Sequence, residues 1–479
     1  MTENPTASFC GNEVECGPIN KEDVKGMTNS GQLIKIRILA LALLGFLLSV
    51  KSDRYFPLPE NLPEPVFQAF LIPYTFSFFA AFIIFIKPEI PGEIFSFLDR
   101  FSTIRLTALI ILVFEAMTLV LLIVQGIRYA LFGYHLNIPI TVIVFTFIGI
   151  GLIYLLFWDA SPEILFFIVL LAYIGTYLLS IISFPLNSQR SDMLPLILSG
   201  CQSFLSGATP YGYYNIPHHL VFTYLPGMWM AYLPAAALEV DPRFINLLGI
   251  VSSVLILAYS AKGTRNFTLP IISVFLLTPY LQYRHEIYYG VPFLILSIIF
   301  FLYSKNRWLM SSAVFGYALA TYQFIWVIFP FGVVAAFRKW GTRKAMVHVL
   351  TALAFALIII LPFLLDSPDN FIKGVYGHWL FVDIPSVNLS YLVSLFVPWD
   401  LMIFVQGIVI AVIFGVSLQR MDPADCWGWM ATALVLFIAL NRVIQVYFYL
   451  LVLLLLVMHG ISTRAPSEIP KTRCAEQEL

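Results

Sequence analysis

The chain has 479 residues, and its 27 Lys and Arg side chains balance its 27 Asp and Glu side chains, so the formal net charge is zero. That balance lacks the basic footprint of a nucleic-acid-binding protein, and no nucleic-acid partner is expected. Hydrophobic residues make up 60% of the chain and charged residues only 11%, whereas soluble domains carry about 25% charged residues. The composition therefore excludes an ordinary soluble fold and predicts an all-α polytopic membrane protein, because backbone polar groups in lipid must be satisfied within each helix.

Residues 1–31 are polar and of mixed charge. This predicts a disordered cytoplasmic tail rather than a signal peptide, since a signal peptide starts basic and turns apolar at once. Apolar runs of membrane length begin at residue 32, and their number predicts about 12 to 14 membrane helices. The runs fall into three groups, residues 32–162, 163–365 and 366–462, and a second cytoplasmic tail is expected over 463–479.

The longest polar interruption between membrane-length runs is residues 189–241. Near its start, Ser191 is a predicted N-cap and Asp192 falls in the first helical turn. Apolar residues at helical spacing then form one face: Leu194, Ile197, Leu198, Cys201 and Leu205. Gly207 suits the C-cap position, so the segment predicts an amphipathic helix lying on the membrane surface. Asp192 either complements the dipole of this helix or serves as a catalytic carboxylate.

Lysine and arginine in short loops predict which side of the membrane each loop faces. The basic residues assigned to the cytoplasmic side are Lys35, Arg37, Lys305, Arg307, Arg338, Lys339, Arg343, Lys344, Arg420, Lys471 and Arg473. With the N-terminus and C-terminus both cytoplasmic, five crossings place an external loop over residues 185–216. The path of Pro217–Leu238 stays open, because Arg243 and Lys262 flank one apolar run and cannot both be cytoplasmic if that run spans the membrane.

The run Leu309–Phe337 lies between two basic loops, so it must return to the side from which it starts. A hairpin of two half-helices, broken around Tyr322, Gln323 and Phe324, satisfies this parity. Irregular backbone at membrane depth is tolerated only where it lines a cavity in the protein. Gln323 is therefore a candidate for the floor of a binding site.

Two polar segments carry side chains suited to a phosphate-linked sugar. The first follows the amphipathic helix and contains Tyr211, Tyr213, Tyr214, His218, His219 and Tyr224. The second is a polar tip between apolar runs and contains Arg284 and Glu286. Cations stabilise a phosphate as negative charge develops on it, and a carboxylate such as Asp192 accepts the proton of an acceptor hydroxyl.

The adjacent histidines, His218 and His219, point in different directions if they lie on a helix, and no third ligand is obvious. Contact with phosphate or sugar is therefore favoured over a shared metal ion, and packing at the membrane interface is the alternative. Glu115 lies inside an otherwise apolar run. An acid within the membrane is a functional hypothesis by default, but a hydrogen bond to a neighbouring helix is the favoured interpretation.

The order of these motifs resembles the first external loop of the GT-C glycosyltransferases. The motifs are Asp192 before the amphipathic helix, Gly207-x-x-Pro210-Tyr211, Tyr224-Leu225-Pro226 and Asp241-x-Arg243, and the later Gly316-Tyr317-Ala318-Leu319-Ala320 with Pro330 is similar to a re-entrant helix pair. The nearest likeness is to glycosyltransferase family 87, the polyprenol-phosphate-mannose-dependent mannosyltransferases, over residues 165–365. Two features depart from that family: Gln323 stands where relatives often have a lysine, and the loop follows five apolar runs rather than one.

The resemblance implies a GT-C-like helical bundle in which residues 163–365 form the catalytic module and residues 32–162 are additional membrane helices. It implies transfer of mannose or a similar sugar from a polyprenyl-phosphate-linked donor to a lipid or glycan acceptor. The reaction would take place at the extracytoplasmic face of the plasma (inner) membrane, among membrane lipids.

In that reaction Asp192 would be the catalytic base. The residues implied to bind the donor phosphate or sugar are Arg284, Glu286, His218, His219, Tyr211, Tyr224 and Gln323. No certain cofactor follows from the residues, and Asp192 as the ligand of a divalent metal ion is the alternative to its role as base. Two other classes stay open: a transporter or lipid flippase, which acids such as Glu115 would favour, and a membrane subunit with a degenerate site.

Overall fold

The structure is a computed structural model, and the part of the chain that it describes is almost entirely helical. The described residues are 32–44, 47, 64–88, 102–130, 138–157, 161–188, 191–216, 219–272, 287–377, 389–394, 396–398, 401–441 and 448–463. The predicted helical class is thereby confirmed.

The helices follow one another along the chain with one small β-hairpin between them. They are α1 (32–44), α2 (Glu64–Ile86), α3 (Thr103–Ala130), α4 (Ile138–Phe157), α5 (Pro162–Ser183), α6 (Met193–Leu205), α7 (Pro226–Met230), α8 (Leu233–Ala237), α9 (Arg243–Ala261), α10 (268–272), α11 (Gly290–Ser304), α12 (Trp308–Leu319), α13 (Phe324–Trp340), α14 (Thr342–Asp366), α15 (Pro368–Ile372), α16 (Leu389–Ser394), α17 (Met402–Arg420), α18 (Cys426–Ala439) and α19 (Tyr449–Ser462). The strands β1 (Tyr213–Asn215) and β2 (His219–Val221) pair antiparallel, with Tyr214 opposite Leu220. A single turn of π-helix covers Lys373–Gly377.

Four of the described helices are long and apolar enough to cross a membrane by length and composition: α5, α9, α14 and α17. The local sequence explains where α5 starts, since Pro162 opens the helix and the Ser161 hydroxyl accepts the Ile164 N–H at 3.4 Å. Such helices are compatible with an integral membrane protein. The count of 12 to 14 membrane helices stays a prediction.

Helix α9 meets a different neighbouring helix at each of its ends. At its start Arg243 donates to the Phe184 carbonyl, where α5 ends. Just past its end Asn266 donates to the Gly460 carbonyl at 2.8 Å, near the end of α19. The 19 residues of α9 make a helix about 28 Å long, so Arg243 and Lys262 lie at opposite ends of the described helices. We call the end with Arg243 the loop face and the end with Lys262 the basic face.

Basic residues from distant parts of the chain meet at the basic face. Arg37 donates to the Thr463 hydroxyl at 2.9 Å, which joins α1 to the end of α19. Lys339 donates to the Tyr303 carbonyl at 2.6 Å, which joins the end of α13 to the end of α11. The clusters that the sequence assigns to one side of the membrane therefore do lie at one end of the molecule.

The predicted hairpin of two half-helices is confirmed, because residues 320–323 separate α12 from α13. The two halves fold back on each other, and the ring centroids of Phe315 and Phe329 are 5.2 Å apart. Helices α11, α14 and α18 pack against the pair. The hairpin as a whole therefore starts and finishes at the basic face, and its tip, between the end of α12 and the start of α13, points towards the loop face.

The segment Pro217–Leu238, whose path the sequence leaves open, contains no long helix within its described residues. It holds β2 and the helices α7 and α8, each of five residues. Its backbone meets the hairpin tip, where the Gly227 N–H donates to the Ala320 carbonyl at 2.8 Å. The polar loop and the segment after it thus stay at the loop face and rest on the tip of the hairpin.

Candidate functional site

Helix α6 carries Asp192 at its start. The helix begins one residue later than predicted, so Asp192 is the N-cap residue, and its side chain makes no capping hydrogen bond. Leu194, Ile197 and Cys201 are fully buried, as the predicted apolar face requires. Leu205 differs, since it is 51% exposed and lies off that face. The helix packs on α7 and α8 and holds a half-buried Asp192 at the loop face.

Gly207 ends α6 as predicted, with a φ of 81° that glycine adopts without strain. Beyond it, Tyr211 is fully buried. Its hydroxyl donates to the Tyr224 carbonyl at 3.0 Å, and its ring centroid lies 4.7 Å from that of Phe371 in α15. Tyr211 is therefore a core residue of the loop that holds the Tyr224 segment against α15.

A buried asparagine in α9 positions the chain that precedes α11. The Asn246 amide donates to the Ile287 carbonyl at 2.6 Å, and its oxygen accepts the Tyr232 hydroxyl at 2.5 Å. The Gly290 N–H donates to the same oxygen at 3.3 Å. Because these partners converge on one side chain that is 1% exposed, residues 287–290 are held beside α9.

Four tyrosines meet at the loop face, and we call Tyr224, Tyr288, Tyr289 and Tyr322 the tyrosine cluster. The Tyr288 ring lies edge-on to Tyr224 at 5.2 Å and stacks on Tyr289 at 5.5 Å. The hydroxyls of Tyr289 and Tyr322 share a hydrogen bond of 2.8 Å. The cluster thereby joins the polar loop, the start of α11 and the tip of the hairpin.

Asp192 lies close enough to the tyrosine cluster to act on it electrostatically. Burial raises the pKa of the Tyr288 phenol, and the negative charge of Asp192 adds to the shift. Tyr288 therefore stays protonated at neutral pH and keeps a hydroxyl that donates a hydrogen bond. A carboxylate at this face can accept a proton from the hydroxyl of a bound ligand.

Gln323 lies in the tip of the hairpin, below the polar loop. Its amide donates to the Thr223 carbonyl at 3.0 Å and to the Val375 carbonyl at 3.5 Å. These bonds connect the hairpin tip to the segment between β2 and α7 and to the π-helical turn after α15. The sequence places Gln323 at the floor of a binding site, and both that role and contact between Gln323 and a ligand stay predictions.

Gly227 is the point at which α7 touches the hairpin tip. A side chain added there would meet the Thr321 hydroxyl at 2.5 Å and the Ala320 carbonyl at 2.9 Å. Gly227→Val is therefore expected to push α7 off the tip and to lower the free energy of unfolding by about 1–3 kcal/mol, the usual cost of overpacking. The measurement is the melting temperature of the purified protein in detergent.

The matched control is Gly212→Val in the same loop, because a side chain added at Gly212 meets nothing within 4 Å. This variant should melt as the wild type does. Equal melting temperatures for the two variants would show that the close approach at Gly227 does not hold the loop on the hairpin.

The histidine pair is only partly within the described residues. His219 is exposed on β2, its ring stacks on Tyr213 at 4.7 Å, and its Nδ1 lies 3.0 Å from the Asn215 Oδ1. The predicted ligand-binding residues outside the described ranges are His218, Arg284 and Glu286. Within the described part of the chain, no three His, Cys, Asp or Glu side chains are grouped so that they could hold a metal ion.

An ion pair closes the base of the loop. The Arg243 Nε donates to the Asp241 Oδ1 at 2.9 Å, and its Nη2 donates to Oδ2 of the same carboxylate. The buried guanidinium also donates to the carbonyls of Phe184 and Ile181, which lie at the end of α5, where carbonyls lack helical partners. Arg243 therefore bonds the end of α5 to the start of α9. The polar loop connects these two helix ends.

Three residues of this site are absent from the sequence predictions: Asn246, Tyr288 and Tyr289. Asn246 did have a usable signal, since it is an amide inside a membrane-length apolar run. The two tyrosines had none, because adjacent aromatic residues beside a helix are common at a membrane interface. Only their packing on Tyr224 and Tyr322 distinguishes them.

No protein-family model matches this chain, and no curated protein or solved structure matches it. The described fold is helical, and four of its described helices are long and apolar enough to cross a membrane. Its candidate site lies at the loop face, where Asp192 begins α6 and its charge adds to the raised pKa of the buried Tyr288 phenol.

Proposed function

We propose that this protein is an integral membrane glycosyltransferase that uses a polyprenyl-phosphate-linked sugar as donor. The observation that carries the proposal is the position of Asp192, at the start of a surface helix that follows a membrane-length helix and beside the tyrosine cluster. A carboxylate at the end of a membrane-length helix can reach a substrate whose lipid tail stays in the membrane. The resemblance of the loop motifs to the GT-C enzymes supports the same reaction.

In the proposed reaction, the oxygen of the acceptor hydroxyl forms a bond to the anomeric carbon of the sugar. The bond between that carbon and the phosphate oxygen breaks, and the electron pair leaves with the polyprenyl phosphate. Asp192 takes the proton of the hydroxyl as general base. Arg284 and the histidines, His218 or His219, neutralise the charge that develops on the phosphate, and Glu286 is assigned to the same donor-binding set. The alternative is that a divalent metal ion bound by Asp192 would neutralise the charge on the phosphate.

The phenol groups have two different roles in the proposal. Tyr224, which is half-buried, offers its hydroxyl and ring face to the sugar at the edge of the tyrosine cluster. Tyr288 is 3% exposed and packs behind the Tyr224 ring. Tyr211 is a positioning residue, because its buried hydroxyl holds the Tyr224 carbonyl at 3.0 Å. Gln323 also positions the loop, since its amide bonds the Thr223 carbonyl.

For the orientation, we propose that the loop face is extracytoplasmic and that both chain termini are cytoplasmic. Basic loop residues favour the cytoplasmic side of a membrane, and they collect at the basic face, where Arg37 and Lys339 make their contacts. The site would then face the side of the plasma membrane on which polyprenyl-phosphate sugars are used, with a lipid or glycan as acceptor.

The test is a transfer assay with the purified protein in lipid nanodiscs. A panel of polyprenyl-phosphate-linked mannose, glucose and arabinose donors is supplied with lipid and glycan acceptors, and products are detected by mass spectrometry. One donor is expected to yield a glycosylated acceptor together with free polyprenyl phosphate. If no donor in the panel yields a product, while the same protein in vesicles exchanges a lipid or sugar across the membrane, the proposal is wrong.

Exchange of a lipid or sugar across the membrane without a glycosylated product would identify a transporter or flippase. One observation favours that class. Glu115 in α3 is 3% exposed, and neither of its carboxyl oxygens has a hydrogen-bond partner among the described residues, so the hydrogen bond to a neighbouring helix that the sequence favoured is not found there. A buried acid within a membrane helix is common in proton-coupled transport. Counterflow that Glu115→Gln abolishes, without any covalent product, would establish the transporter.

A further inference from the structure

An apolar groove lies on the basic half of the molecule, between α13, α14 and α17. Its volume is about 600 Å³, within the range of roughly 300–1,000 Å³ that small-ligand sites occupy. Phe337, Val349, Leu350, Phe414 and Leu418 line it. Leu350 is 64% exposed and Leu418 is 50% exposed, so the groove opens sideways, towards the lipid that would surround membrane-length helices.

The mouth of the groove is positively charged. Arg338 lines it and is exposed, and its Nη2 donates to the Leu418 carbonyl at the end of α17. Arg343 and Lys344 are exposed in the first turn of α14, beside Thr342, which also lines the groove. That first turn has no acidic side chain and no side-chain cap, so its free N–H groups add to the attraction for an anion.

We infer that this groove binds one anionic phospholipid. An acyl chain would lie along the apolar wall formed by Val349, Leu350 and Phe414, and the phosphate would sit among Arg338, Arg343 and Lys344. Charge selects the occupant: a zwitterionic lipid supplies the same chain without net negative charge, and a soluble phosphate supplies the charge without the chain. Basic pockets between membrane helices recognise anionic lipid headgroups in this way. The inference does not depend on sugar transfer, because the groove lies at the opposite end of the molecule from Asp192.

The test uses delipidated full-length protein in detergent, titrated with dioleoyl phosphatidylglycerol or dioleoyl phosphatidylcholine and followed by native mass spectrometry. Wild-type protein should bind phosphatidylglycerol at least about tenfold more tightly than phosphatidylcholine, since each basic residue contributes about 1 kcal/mol to anionic-lipid binding. The double variant Arg343→Gln with Lys344→Gln should lose most of that preference. Arg338 is left intact because its guanidinium also bonds the end of α17.

A second variant tests the apolar wall. Val349 is half-buried in the groove, so Val349→Trp should fill the space for the chain and weaken the binding of both lipids by about tenfold. The matched control is Lys305→Gln with Arg307→Gln, which removes two exposed cations from the same face and does not touch the groove. Melting temperatures confirm that each variant is folded.

Three outcomes would overturn the inference. The first is equal binding of the two lipids by the wild type. The second is an equal loss of phosphatidylglycerol binding in the groove pair and in the control pair, which would indicate attraction to the whole basic face. The third is full competition by glycerol 3-phosphate at the lipid concentration, which would indicate a site for a soluble anion.

Discussion

Replacing Asp192 with Asn is expected to lower the rate of sugar transfer by at least about 100-fold, because general-base catalysis contributes 100- to 10,000-fold. The amide has the shape of the carboxylate but does not accept the proton of the acceptor hydroxyl. The fold should survive, because Asn is about as favourable as Asp at the N-cap position that residue 192 occupies. The measurement is the rate of product formation with a saturating polyprenyl-phosphate donor, beside the melting temperature of the same preparation.

The control for this variant is Asp369→Asn, which removes an exposed carboxylate from α15 at the same face. It should transfer sugar at the wild-type rate. A parallel loss in both variants would mean that the net charge of the loop face matters rather than one base. Normal turnover by Asp192→Asn would remove Asp192 from the chemistry altogether.

Replacing Arg243 with Met is expected to destabilise the protein by about 3–5 kcal/mol, the cost of breaking a buried ion pair by removing one partner. The change leaves the Asp241 carboxylate, whose side chain is 24% exposed, without its cation. It also removes the donors to the carbonyls of Phe184 and Ile181 at the end of α5. The measurement is the melting temperature in detergent, together with the denaturant concentration at half-unfolding.

The control is Arg307→Met, which makes the same chemical change at an exposed residue before α12 and should cost little. The double variant Asp241→Asn with Arg243→Met should recover part of the lost stability, because no unpaired carboxylate remains. A coupling energy of about 0.5–3 kcal/mol between the two positions is expected for residues in contact. A coupling near zero would show that the helix-end carbonyls, rather than the ion pair, account for the effect of Arg243.

Local patterns predicted several features of the loop face. Apolar residues at helical spacing indicated the amphipathic helix after Asp192, and Gly207 marked its end because a left-handed φ favours glycine. The parity of basic loops predicted the hairpin that breaks at Gln323. These features depend on residues within one or two helical turns, or on charge signs that each loop carries by itself.

The site required contacts that no local pattern encodes. Asp192 acts on Tyr288, which is far away along the chain, and Gln323 bonds the carbonyl of Thr223, 100 residues before it. Which tyrosines meet depends on how Asn246 holds the chain before α11. Tyr211 shows the limit most clearly, since its sequence neighbours suggested a sugar contact and its full burial makes it a core residue.

By itself, the sequence determined the helical class, compatible with an integral membrane protein, the position of the polar loop and the end of the molecule at which its basic residues gather. Composition and periodicity suffice for these, because a helix in lipid must be apolar along its length and satisfied within itself. Only the tertiary structure decided that Pro217–Leu238 rests on the hairpin tip, that Arg243 and Lys262 lie at opposite ends, and that a groove opens beside Arg338. These depend on packing between distant segments, whose free energy is set by shape and hydrogen bonding across the fold rather than by the order of residues along the chain.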